Sequence, residues 1–210
     1  MNLESYRLRP ATPDDLPALY HVCLKTGDSG KDATHLQDDP ELLGQVFVGP
    51  YVMLEPALAF MLDSDQGPVG YVLGVLDTGR FNDRLKTEWL PRLQKLHPDP
   101  GNDPERWRGS DWVRHTLHHP FLDVPAMLTA YPSHAHIDLL AEARGHGVAR
   151  HLMQTMMERL TGLGSPGLHL QVNPKNYEAQ AFYHSLGFAP LVSPDLPVDT
   201  LFMAMALRDY

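Results

Sequence analysis

The stretch Arg144-Gly145-His146-Gly147-Val148-Ala149 restricts the fold of this chain more than any other. It follows a short apolar run, His136-Ile137-Asp138-Leu139-Leu140, and precedes a helical pattern over residues 148–160. A strand therefore enters a glycine turn, and the turn opens a helix. The first-turn N–H groups of that helix have no acceptor inside it, and they sit at the positive end of its dipole. Glycines let a ligand approach the backbone closely. The pattern describes a cradle for a diphosphate, and also, more plainly, a tight strand–helix connection.

A second block lies downstream: Val172-Asn173-Pro174-Lys175-Asn176-Tyr177-Glu178-Ala179-Gln180-Ala181-Phe182-Tyr183-His184-Ser185-Leu186-Gly187-Phe188. Residues 167–172 before it read as a strand bounded by Gly-Ser-Pro-Gly. Asn176 fits a helix N-cap and Gly187 a residue just past the helix end. Between them Ala179, Phe182 and Leu186 form an apolar stripe at helical spacing. Asn176 and Tyr183 fall on the same helix face, two turns apart.

Both blocks resemble signatures of the GCN5-related N-acetyltransferases, the GNAT superfamily. Arg144, Gly147 and Ala149 fit Gln/Arg-x-x-Gly-x-Gly/Ala, and residues 176–188 fit Asn-x-x-Ala-x-x-Phe/Leu-Tyr-x-x-x-Gly-Phe. The resemblance implies an α/β fold: a mixed, mostly antiparallel sheet of six or seven strands flanked by helices. It implies acetyl-CoA as cosubstrate and direct attack by an amine in a ternary complex. The diphosphate would lie on Arg144, Gly145, His146, Gly147, Val148, Ala149 and Arg150, with the two arginines adding charge. An amide near Leu139 or Leu140 would polarise the acetyl carbonyl, an effect typically worth about 3–4 kcal/mol. Asn176 would bond the pantetheine or the chain near Tyr183. Tyr183 matches the tyrosine beside the CoA sulfur and is the expected general acid; a thiol at about 8.5 and a phenol at about 10 make transfer slightly uphill.

From about residue 57 onward the chain also resembles the acetyltransferase-like domain at the C-terminus of the O-GlcNAcases and its free-standing bacterial relatives. The residues that carry this likeness are Leu58-Ala59-Phe60-Met61, Gly70-Tyr71-Val72-Leu73-Gly74-Val75-Leu76-Asp77, Phe81 and Glu88-Trp89-Leu90-Pro91. The chain is too short to hold a glycoside hydrolase domain as well. The animal domains resembling it carry a degraded glycine turn, whereas this chain keeps Arg144, Gly145 and Gly147, so the resemblance implies that it binds acetyl-CoA better than they do.

The attacking ammonium must lose a proton. His134, His136, Asp138 and Glu142 are the candidate bases, and the first three share one face of a strand by period-two alternation. The family's usual base positions fall instead on Ser133 and Ala135, which are not ionisable bases; a bulge would be needed to bring the histidines into line. Asp138 ranks first because it is nearest the expected thioester.

The 210 residues suit one domain, with a helical insertion over about 80–130 between the third and fourth strands. That insertion carries two amphipathic patterns, 82–96 and 104–118, and all three tryptophans, Trp89, Trp107 and Trp112. They read either as anchors for the insertion, the favoured reading, or as the wall of a substrate groove. Upstream, a strand at 6–9, a helix with Thr12 as N-cap and Pro13 first, a polar loop at 27–39, a short helix at 41–46 and a hairpin of 57–62 with 70–76 are expected. The fourth strand is expected over 135–140 and the last two over 189–192 and 200–206.

A net charge of −9 argues against nucleic acid as partner. No run reaches membrane-spanning length, and no secretory signal is visible. The single cysteine, Cys23, is expected to be buried, and a reducing cytoplasm fits. His115, His118, His119, His134 and His136 invite a metal, but no Cys or Glu-rich motif completes a ligand set, and none is predicted. Exposed strand edges near the C-terminus would permit a homodimer. The leading expectation is an acetyl-CoA-dependent N-acetyltransferase acting on a small amine or a peptide or protein lysine. The alternative is an acetyl-CoA-binding or protein-binding module with little catalysis.

Overall fold

The computed structural model describes residues 5–145, 147–197 and 199–207. Seven strands, β1 (Tyr6–Pro10), β2 (Ala59–Ser64), β3 (Gly67–Val75), β4 (Ser133–Leu139), β5 (Gly167–Val172), β6 (Ala189–Leu191) and β7 (Leu201–Ala206), form one sheet. Their order is β1-β2-β3-β4-β5-β7-β6. Every neighbouring pair is antiparallel except β4 and β5, which run parallel. The mixed, mostly antiparallel sheet expected from the sequence is therefore present.

Strands β2 and β3 are almost continuously apolar because helices cover both faces of the sheet. On one face, α7 (Val148–Gly162) packs Leu152, Met156 and Leu160 against Val72, Leu168, Leu170 and Met203. On the other, α1 (Leu16–Thr26), α2 (Leu42–Phe47) and α3 (Gly49–Leu54) surround Met61, Tyr71 and Leu73. At the start of α1 the Asp15 carboxylate accepts from the Thr12 N–H at 2.8 Å and is clasped by both terminal nitrogens of Arg9, each at 2.8 Å. Cys23 is buried in that second core.

The insertion begins with α4 (Thr78–Arg84), a π turn (Leu85–Trp89) and α5 (Leu90–Leu96), which form one uninterrupted helical run. Pro91 cannot donate to the fourth residue back, and Leu90 N–H reaches Leu85 O, five residues away. Helix α6 (Asp111–His118) follows. Leu90, Leu93, Val113 and Leu117 bury the insertion into the same core as α1.

The last helix, α8 (Tyr177–Ser185), is capped by the Asn176 side chain, whose Oδ1 accepts from Ala179 N–H at 3.1 Å. Gly187 follows with φ +98°. No described helix is long and apolar enough to cross a membrane.

Candidate active site

Strands β4 and β5 pair only at Ser133 with Leu168 and at His134 with His169. Beyond those residues β4 continues along β3 as far as Leu139, and β5 continues along β7 as far as Val172. The two strands separate, and a cavity of about 660 Å³ occupies the gap. Ser29, Gly30, Leu139, Arg144 and Ala149 line one end of it, and Asp138, Asn176 and Tyr183 lie along it.

Helix α7 starts at the edge of that cavity. Gly147 is its N-cap at φ 76°, and Gly145 has φ 81°, left-handed values that glycine adopts without strain. A β-carbon on Gly145 would meet nothing within 4 Å. The first helical bond comes from His151 N–H to Gly147 O at 3.1 Å. The amides of Val148, Ala149 and Arg150 precede it and have no intrahelical acceptor. His146 lies outside the described residues.

The two arginines are held by the protein. Arg144 Nε donates to Leu139 O at 2.9 Å and its Nη2 to Gly30 O at 2.6 Å, which ties the loop after α1 to the end of β4. Arg150 Nη2 donates to Ser185 Oγ at 2.8 Å and joins α7 to α8. Both side chains thus brace the walls of the site, and each keeps its charge and further N–H groups beside the start of α7.

Leu140 is also reassigned. Its N–H donates to Val69 O at 2.8 Å and its carbonyl accepts from Ala143 N–H at 3.0 Å. With Leu140 bonded to β3, ladder alternation turns the N–H groups of Leu139 and Ile137 toward β5, into the gap. Leu139 is the better placed of the two residues named for polarising a carbonyl.

Strand β4 pairs with β3 from His134 to Leu139 without a register shift: alternation puts His134, His136 and Asp138 on one face, and no bulge brings the histidines into line with the positions of Ser133 and Ala135. Asp138 Oδ2 accepts from the Tyr71 hydroxyl and from His136 Nε2, the latter at 3.0 Å. His136 Nδ1 lies 3.2 Å from Phe47 O and can only donate to it. Both ring nitrogens thus face acceptors, and the imidazolium satisfies both. Burial pulls the His136 pKa down, but the Asp138 hydrogen bond, its charge and the Phe47 carbonyl together raise it above the ordinary histidine value. Asp138 Oδ1 has no hydrogen-bond partner among the described residues. Glu142 is exposed, and Ser133 Oγ is spent on Leu76 O at 2.6 Å.

Tyr183 stands across the gap from Asp138, its ring against Phe182 and Phe188. Burial, and then the charge of Asp138, push its phenol above the ordinary value, so it stays protonated. Its hydroxyl has no partner among the described residues.

A second cavity, of about 400 Å³, lies under the insertion and meets the first at Phe47, His136 and Gln171. His134 belongs to this one. Thr78 Oγ1 donates to Pro132 O at 2.7 Å and so accepts from His134 Nδ1 at 2.8 Å; His134 Nε2 accepts from Tyr51 Oη at 3.0 Å. The ring is neutral, and burial with nearby His169 and His136 holds its pKa well below the usual range.

The tryptophans divide between the two readings. Trp89 donates to Gln45 O at 2.9 Å and anchors the insertion, and Trp107 closes its own loop on Gly101 O at 2.9 Å. Trp112 stacks on Phe47 at 5.9 Å and lines the larger cavity. His115, His118 and His119 bond Asn102, the His97 carbonyl and Asp99 respectively, each to a different partner. Tyr71, Tyr51, Thr78 and the Phe47 carbonyl are site groups that no motif pointed to; only the strand pairing and the placement of α2 and α3 bring them in.

The family model for the acetyltransferase (GNAT) family matches residues 32–188. The crystal structure of SsHAT is 36% identical, with TM-score 0.87 over 97% of this chain and 98% of that one. Protein O-GlcNAcase of Rattus norvegicus is 26% identical over 204 residues, 96% of this chain. The chain spans 22% of the length of that curated relative. The structure of yncA from Salmonella typhimurium with its cofactor acetyl-CoA shares the fold, at TM-score 0.52 and 12% identity over 98% of this chain and 96% of that one. With three quarters of its length inside the family model and both signature blocks framing one cavity, this chain belongs to the acetyltransferase (GNAT) family.

Proposed function

We propose that the protein is an N-acetyltransferase that uses acetyl-CoA and an amine in a ternary complex. The observation that carries this reading is the gap between β4 and β5, which runs from the first-turn amides of α7 to Asp138 and Tyr183. An acyl-CoA fits such a channel: diphosphate on Val148, Ala149 and Arg150 N–H, pantetheine between the strands, thioester at Leu139 N–H. Acetyl-CoA supplies the activated acetyl group.

The amine arrives through the smaller cavity, which opens into the channel at His136. Asp138 takes the ammonium proton on Oδ1, while Tyr71 and His136 hold Oδ2 and fix the carboxylate. Leu139 N–H stabilises the oxyanion as it forms. Tyr183 hydrogen-bonds the departing sulfur and supplies its proton.

Thioester cleavage measured against an amine panel tests this. Wild type should release CoA only with a competent amine and Gly147→Glu should bind no acetyl-CoA, because its carboxylate would stand where the diphosphate belongs. Binding of acetyl-CoA without release of CoA by any amine would leave a binding module and no transferase.

A further inference from the structure

Resting on that transferase reading, we infer that the acceptor is a monoamine carried on a flat apolar body, an arylalkylamine or an amine of like shape, rather than a polyamine or a lysine in a polar chain. The smaller cavity is the place where it binds. Its floor is a run of touching rings: Tyr51 to Phe81 at 5.0 Å, Phe81 to His134 at 5.5 Å, His134 to His169 at 5.7 Å and His169 to Phe202 at 6.2 Å. Aromatic faces arranged this way favour another flat ring.

Most polar groups along these walls are already engaged; the Gln171 amide, at the junction with the channel, is an exposed exception among the described residues. Both nitrogens of His134 are bonded, Thr78 is bonded, His169 Nδ1 is bonded to Tyr131 O at 2.7 Å, and Asn82 Nδ2 donates to Leu122 O at 2.9 Å. A ligand that needed hydrogen bonds along its length would lose those it makes to water and find few replacements. Among the lining residues the one carboxylate is Asp123, exposed at the rim, so the walls offer no series of anions to a polycation.

The two ends of the cavity differ. At the junction with the channel, just beyond His136, stands Asp138, whose Oδ1 receives an amine. At the outer rim Phe121 and Val124 extend the apolar wall into solvent, 49% and 38% exposed. An aromatic monoamine satisfies both ends, nitrogen inward and ring along the floor. At about 400 Å³ the cavity is wider than the stem of a lysine needs and falls in the range of small-molecule sites.

The test uses the full chain saturated with CoA and three probes: 2-phenylethylamine, spermidine and N-acetyl-lysine methylamide. Calorimetry should show 2-phenylethylamine binding about tenfold or more tighter than either other amine. Phe121→Ala should weaken it about tenfold, the effect of removing one apolar contact wall. Methyl signals of Leu85, Val124 and Leu128 should move with 2-phenylethylamine through its ring current. Acetyl-CoA affinity, read in a separate titration of the variant without CoA, checks that it is folded. Equal or tighter binding of spermidine or the lysine analogue, or unmoved methyl signals, would overturn the inference. Failure of the transferase reading looks different: 2-phenylethylamine would bind as described, yet acetyl-CoA would yield no N-acetylated product.

Discussion

At the scale of single residues, His136 and Asp138 act as one unit. The imidazole would titrate low on burial alone; the carboxylate and the Phe47 carbonyl reverse that. In a histidine NMR titration His136 is expected to turn over above pH 6.5, and Asp138→Asn should move its midpoint down, since the charge that holds the proton is gone. The linked stability has a definite sign. It is complete below the ordinary histidine pKa and is lost as pH rises through the raised value. A midpoint unmoved in Asp138→Asn would show the pairing to be absent in solution. Tyr183 makes the opposite kind of contribution, a proton kept rather than shared. Tyr183→Phe should lower kcat by about 100-fold or more while acetyl-CoA affinity changes by no more than about threefold. A large loss of affinity with unchanged kcat would assign the hydroxyl to binding. That Asp138 would share a strand face with His136, and that Tyr183 would lie on the helix after Asn176, was legible in the sequence, the first from alternation and the second from motif spacing. Tyr71 was not, because it sits inside an unbroken apolar strand and only the register opposite Asp138 gives it a role.

At the scale of elements, the site depends on how closely α2 can approach α1. Gly44 makes that approach possible: a β-carbon there would fall 2.4 Å from Tyr20 Cδ1 and 2.5 Å from its Cγ, near the root of a ring that cannot swing clear. Gly44→Ala is expected to cost about 1–3 kcal/mol, read as a fall in Tm of about 2–4 °C per kcal/mol for a chain of this size. Because α2 ends by presenting Phe47 O to His136, the same variant should also lower the His136 midpoint. An unchanged Tm would mean that the two helices are free to separate. Residues 167–172 and the capped helix after Asn176 could be read directly, since Gly, Asn and apolar spacing mark their ends. Helix α3 could not, because Val48-Gly49-Pro50 reads as a break, whereas in the fold Pro50 occupies its first turn, where no N–H is needed. The hairpin strands run further toward each other than the expected 57–62 and 70–76: β2 ends at Ser64, and Gly67 at φ 116° lets β3 begin early.

At the scale of the whole molecule, two strands that start side by side and then part create the channel, and the insertion roofs a second cavity that opens into it. The strands themselves were visible in the sequence. Their divergence was not, since parallel register leaves no periodic mark, and neither was the face on which the insertion would settle. Ladder pairing between β4 and β5 is confined to Ser133 and His134, and a ligand that binds this gap in the folded state alone stabilises it: acetyl-CoA at 100 times its Kd should do so by about 2.7 kcal/mol. At the start of α7, the amides of the first turn receive the diphosphate. Backbone amide shifts followed during titration with acetyl-CoA test it most directly. The account predicts the largest changes at Gly147, Val148, Ala149 and Arg150; signals there that stay fixed while amides elsewhere move would contradict it.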